Sequence, residues 1–263
     1  MWADSHAHLY HSQFDADRAD MIQRATEVGV TKIVLPNIDA ASVDAMLELQ
    51  AIQAQLCFAT LGLHPCDVRI DFLDELNKIK KYFDATTVVA IGEAGLDYHW
   101  DKTFVSQQHS ALQIQIDWAI EKQLPIILHT RDSMNDTVTM IEKNKSTALK
   151  GVFHCFSGSF EIAQRIVNCG FKLGIGGVVT YKNSNLVEVL PRIGLQHLVL
   201  ETDAPFLPPT PHRGQRNESS YIPYIGAKVA EIMGCSINEV ASMTSANTIE
   251  LFSLAAQQKD PLN

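Results

Sequence analysis

The chain has 263 residues, 46% of them hydrophobic, and a formal net charge of −9. That apolar content supports a substantial core, and no apolar run approaches the roughly 20 residues of a membrane-spanning helix. The acidic balance argues against holding long duplex DNA by charge alone.

Asp4 and His6 stand where a signal peptide would be apolar, so a cytoplasmic protein, monomeric or weakly oligomeric, is expected. Five cysteines (57, 66, 155, 169, 235) are scattered without a CxxC pair, which argues against a disulfide framework and a zinc knuckle. Cys155 alone adjoins a residue of interest, His154.

Short apolar runs alternate with longer amphipathic stretches along the whole chain. The runs are the opening segment to His8, then residues 32–36, 57–61, 88–92, 126–128, 151–153, 171–175 and 198–200. Between them, Asp39 can cap a helix carrying Val43, Met46, Leu47 and Leu49. Leu112, Ile116, Ala119 and Ile120 share one helix face, as do Ile225, Val229 and Ile232. Ser236 and Glu239 form a capping box for a last helix through Leu251 and Phe252. Eight such alternations with continuously apolar strands predict a (β/α)8 TIM barrel, one domain over 1–263. An open doubly wound sheet would carry a glycine-rich loop after its first strand, where this chain has HAHLY. The irregular stretch 204–220 reads as a functional loop.

A barrel builds its site at the C-terminal ends of its strands. The candidate polar residues fall there: His6 and His8 after the first strand, His64 after the third, Glu93 after the fourth. His129 and Arg131 follow the fifth, His154 the sixth, and Glu201 and Asp203 the eighth. His11, His99, His109 and His197 match no strand end and are assigned to surface or packing, while His212 and Arg213 in the long loop could touch substrate. Four histidines and two carboxylates exceed the needs of one catalytic ion and suit two sharing a bridging carboxylate. Such a pair lowers the pKa of a bridging water, so hydrolysis is the expected reaction class.

The segments DSHAHL, GLHP, IGEAGLD, ILHTRD, FHCFSG, GIGGVVTY, ETDAPFLPP and PHRG span residues 4–214. In this order they resemble the TatD family of metal-dependent hydrolases, within the amidohydrolase-type barrels. The resemblance implies that His6, His8 and Asp203 hold one divalent ion, His129 and His154 a second, and that Glu93 bridges them. The ions would be drawn from Zn, Mn, Mg, Ni or Co. It further implies that His64 faces the phosphate or leaving group, that Asp203 orients the water and accepts its proton, and that Glu201 supports the site. Arg131 and Arg213 would contact phosphate. The implied activity is a deoxyribonuclease acting 3′ to 5′ on single-stranded DNA. Tyr10 stands where the family usually has an acidic or amide residue, and is expected to affect loop packing or substrate contact. The alternative is dinuclear hydrolysis of an ester, amide or lactone, such as a D-aminoacyl-tRNA or a small molecule.

Overall fold

The computed structural model describes residues 1–145 and 148–254. Residues 146–147 and 255–263, and with them the end of the domain expected over 1–263, lie outside the described residues. The strands are β1 (Trp2–Asp4), β2 (Val30–Leu35), β3 (Cys57–Ala59), β4 (Ile91–Asp97), β5 (Ile126–Arg131), β6 (Gly151–Phe153), β7 (Lys172–Ile175) and β8 (Leu198–Leu200). The first seven are each followed by one helix: α1 (Arg18–Glu27), α2 (Val43–Ile52), α3 (Phe72–Lys80), α4 (Val105–Lys122), α5 (Met134–Lys143), α6 (Phe160–Asn168) and α7 (Leu186–Ile193). Two helices, α8 (Ile222–Met233) and α9 (Ile237–Phe252), follow β8.

All neighbouring strands pair in parallel and in chain order, β1 to β3 in one ladder and β4 to β8 in another. Backbone hydrogen bonds join the ladders at both seams. Leu61 N–H donates to Ala90 O (3.2 Å) and Gly92 N–H to Leu61 O (2.8 Å). Opposite, Ser5 N–H donates to Leu200 O (2.9 Å), Asp203 N–H to His6 O (2.9 Å) and His8 N–H to Ala204 O (2.7 Å). The expected TIM barrel is thereby closed. The Gly62–Gly92 approach needs a bare Cα at Gly62, since a Cβ there would lie 2.6 Å from Gly92 Cα.

Val34, Ala90, Ile127, Val152 and Val199 cluster with Leu251, Phe252 and Leu254, so the C-terminal segment packs onto one end of the strands. The larger cluster contains Leu112, Ile116 and Ala119 of α4 and Ile225 and Val229 of α8, the helix faces anticipated above. Ser236 Oγ accepts from Glu239 N–H (3.2 Å), as the capping box requires. Asp39 behaves differently. Its Oδ1 accepts from Ser42 N–H (2.8 Å), closing the turn before α2, and Ser42 is the N-cap.

Two strand boundaries also move. The fourth strand is Ile91–Asp97, starting three residues later than the apolar run at 88–92 and ending five residues beyond it, and β5 continues past Leu128 to Arg131. Gly95 pairs with His129 and Asp97 with Arg131. Apolar runs stop at the first polar letters, whereas these ladders continue through them, buried in β4 and emerging toward the mouth in β5.

Candidate metal centre

Glu93, third in β4, is 2% exposed and is the residue on which the site converges. Its Oε2 lies 3.1 Å from His6 Nε2 and 3.5 Å from His8 Nε2. Its Oε1 lies 2.9 Å from His129 Nδ1, 3.0 Å from His154 Nε2 and 3.3 Å from His64 Nε2. Asp203 Oδ1 completes the first side, 3.6 Å from His6 and 3.8 Å from His8. Asp203 takes a left-handed φ of 58°, which turns the chain back over the barrel mouth after β8. Three overlapping groups could hold a metal: His6–His8–Asp203, His6–Glu93–His154 and His64–Glu93–His129.

Hydrogen bonds behind the rings sort these histidines. A ligating imidazole commonly donates its other N–H to an oxygen, which leaves a bare nitrogen for the ion. Tyr10 Oη donates to Pro36 O (2.6 Å), so it receives the proton of His8 Nδ1, 3.2 Å away, and His8 Nε2 is bare. Asp97 Oδ2 takes the Nε2 proton of His129 at 3.0 Å, which leaves Nδ1 bare beside Glu93. Glu201 Oε1 stands 3.5 Å behind His154 Nδ1 and also accepts from Cys155 N–H. His64 is reversed. Its Nδ1 accepts from Cys66 N–H (3.1 Å), so the proton is on Nε2 and His64 presents a donor toward Glu93. The donor set fits divalent metal, with His64 offering a proton and no lone pair.

The electrostatics agree. Burial opposes ionisation of Glu93, but the imidazoles of His154, His6 and His64 and the bond from His129 hold its carboxyl well below the usual range. Burial likewise opposes protonation of His154, yet the Glu93 and Glu201 carboxylates raise it well above an ordinary histidine. His129 is raised against its own burial by Asp97 and Glu93. His6 is pushed well below by burial and by His154. His129 and His154 are thereby poised to hold protons without metal, and divalent cations would displace them. Asp203 is lifted to about 6 by burial. The Cys155 thiol is pushed up to about 12 by burial.

Two residues escaped the sequence reading and one expectation changes. Asp97 orients His129. It stands two and four residues along β4 from Gly95 and Glu93, a period-two signal already present in GEAGLD. Asp4 clamps the seam, with Oδ2 accepting from Thr202 Oγ1 (2.6 Å) and Ser219 Oγ (2.7 Å) and Oδ1 from Thr202 N–H (2.9 Å). Tyr10 is buried and sits behind His8, a support for that imidazole in place of the expected loop or substrate contact. The two arginines lie at the mouth. Arg131 sits over the Trp100 ring (5.0 Å) and Arg213 over Tyr181 (3.9 Å), and among the described residues neither pairs with a carboxylate. His212 stacks on Tyr221 at 3.8 Å and is occupied in packing. The 204–220 loop is tied down by Arg216, which donates to both oxygens of Asp17 (2.7 Å each), and by Arg24 on Glu218 (2.6 Å).

A closed parallel barrel with histidines and carboxylates gathered beyond the C-terminal ends of its strands defines a metal-dependent hydrolase of the barrel type. Residues 3–253 match the family model described as TatD related DNase, and the chain belongs to the TatD family. It is 41% identical to the uncharacterized metal-dependent hydrolase YabD of Bacillus subtilis, over 96% of this chain and 99% of that protein. It is 30% identical to the 3′-5′ ssDNA/RNA exonuclease TatD of Erwinia amylovora, over 95% and 99%. The crystal structure of YjjV, a TatD homologue from Escherichia coli, superposes with a TM-score of 0.89 at 32% identity, covering 96% of this chain and 98% of that one. Among the described residues no helix is long and apolar enough to cross a membrane.

Proposed function

We propose that the chain, working as one barrel domain, hydrolyses phosphodiester bonds at the 3′ ends of single-stranded DNA with two divalent metal ions. The observation that carries this reading is the division of Glu93, whose Oε2 faces His6 and His8 while Oε1 faces His129 and His154. His6, His8 and Asp203 would hold one ion and His129 and His154 the other, with Glu93 shared between them. When bound, such a pair supplies Lewis acidity and a water acidic enough to ionise near neutrality.

The chain's own residues do the rest. Asp203 turns Oδ1 toward His6 and His8, leaving Oδ2 to orient the attacking water and take its proton. His64 points Nε2–H into the site, where it donates to the phosphate or the departing oxygen. Glu201 keeps His154 turned toward Glu93. Arg131 and Arg213 take the flanking phosphates, which suits a protein of net charge −9 that contacts its substrate through a few placed cations. The exonuclease name carried by the Erwinia relative supports the substrate class.

The test is degradation of a 5′-labelled single-stranded oligonucleotide by metal-loaded protein, beside a chelator control and Asp203→Ala. A ladder shrinking from the 3′ end and lost in both controls is expected. No cleavage with Mg, Mn or Zn in protein shown to contain metal would turn the reading to esters, amides and lactones.

A further inference from the structure

We infer that Trp100 is a nucleobase platform, on which one base of the substrate stacks beside the metal centre. The inference rests on the nucleic-acid reading above. The chain has three tryptophans. Trp2 and Trp118 are 7% and 5% exposed, whereas Trp100 is 69% exposed. It is tied to the site through one carboxylate. Asp97 Oδ1 accepts from Trp100 N–H (3.1 Å) and His99 N–H (2.8 Å), while Asp97 Oδ2 takes the proton of His129. The ring is held as well, with the Arg131 guanidinium 5.0 Å from its centroid and the His99 ring edge-on at 5.0 Å.

Trp100 lines a cavity of about 280 Å³ together with Pro65, Cys66, Arg69, Asp97 and Asp101. Pro65 and Cys66 directly follow His64, so the cavity adjoins the proton donor of the site. Its volume is near the ~300 Å³ lower limit of small-ligand clefts, room for a base and not for a duplex. An exposed indole with an arginine on its ring is suited to a π-faced ligand carrying negative charge beside it. A nucleotide has both, and stacking on aromatic rings accepts any base. The Gln108 amide is already bonded to the Asp97 backbone N–H and C=O, and the Asp97 carboxylate to His129, His99 and Trp100, so recognition here is by stacking and charge.

The test uses metal-loaded wild type, Trp100→Ala and Trp100→Phe. Tryptophan emission is followed while titrating a phosphorothioate-protected single-stranded trinucleotide, and separately its abasic counterpart. Quenching by the base-bearing ligand only, absent in Trp100→Ala, is expected, because the remaining tryptophans are buried. In turnover, KM for the base-bearing oligonucleotide should rise about ten-fold in Trp100→Ala and about two-fold in Trp100→Phe, with the KM preference over the abasic substrate collapsing in Trp100→Ala. Equal quenching by the abasic ligand, or an unchanged KM in Trp100→Ala, would overturn the platform while leaving the phosphodiesterase reading intact. If wild type cleaves no phosphodiester, that reading fails by itself and the quench still scores Trp100: base-dependent quenching retains it, and no quenching removes it.

Discussion

Replacing Tyr10 with Phe removes one oxygen and little else. The aromatic ring keeps its buried place, but the hydroxyl that donates to Pro36 O at 2.6 Å and faces His8 Nδ1 at 3.2 Å is gone. Two buried polar groups lose their partner. Leaving such a group unsatisfied costs ~1–3 kcal/mol, offset in part because the hydroxyl itself no longer has to be desolvated. A net loss of about 2 kcal/mol corresponds to a fall of roughly 4–8 °C in Tm for a chain of this size. The second consequence concerns the ion. Without an acceptor behind Nδ1, the His8 proton can move to Nε2, the atom 3.5 Å from Glu93 Oε2 that must be bare to ligate. Loss of such an outer partner weakens metal binding by about 10- to 100-fold. Thermal unfolding of the metal-free protein and competition against a chelator measure the two effects separately. A Tyr10→Phe variant that melts with wild type and holds both ions at wild-type affinity would refute the tautomer argument.

Gly174→Ala would place a Cβ 2.3 Å from Glu201 Oε2 and 3.0 Å from His154 Cα. Overpacking of this kind costs ~1–3 kcal/mol; displacing Glu201 should also cost the His154 ion first, giving about one metal per chain in elemental analysis, and an unchanged metal content would contradict this. Asp203 is raised from 3.8 to about 6 by burial, so the folded metal-free protein binds that proton more tightly than the unfolded chain. Metal-free stability should therefore fall as pH rises between those values, and apparent metal affinity should fall as pH drops below about 6. In Asp203→Asn, calorimetric titration across pH should show a weaker dependence, with the part contributed by His129 and His154 remaining. Asp17 is held at about 2, chiefly by Arg216, so its contribution is present above about pH 4 and lost as pH falls through 2. Arg216→Ala should shift acid unfolding upward in pH, and an unmoved midpoint would mean the loop is anchored elsewhere. Arg213→Ala should raise KM for an oligonucleotide with kcat nearly unchanged; a fall in kcat at constant KM would place Arg213 in the transition state.

Tyr10 also marks the boundary of what could be read from the letters. The barrel and the positions of His6, His8, His129, His154 and Asp203 rest on local rules, the period-two alternation of a strand and the placement of polar residues after apolar runs, so they were legible. The extension of β4 through Glu93 to Asp97 was not, because a run of apolar letters stops where the site begins while the hydrogen-bonded ladder does not. Nor could the letters say that Asp4 reaches Thr202 and Ser219, about two hundred residues away.

The chain by itself therefore determined which residues gather at the barrel mouth, since secondary-structure periodicity and strand order are properties of neighbouring letters. Which nitrogen of His8, His129 and His64 is bare was decided only by tertiary structure. Tyr10, Asp97 and the Cys66 N–H stand behind His8, His129 and His64 because closing the barrel places them there, and a tautomer follows the atom it meets in space.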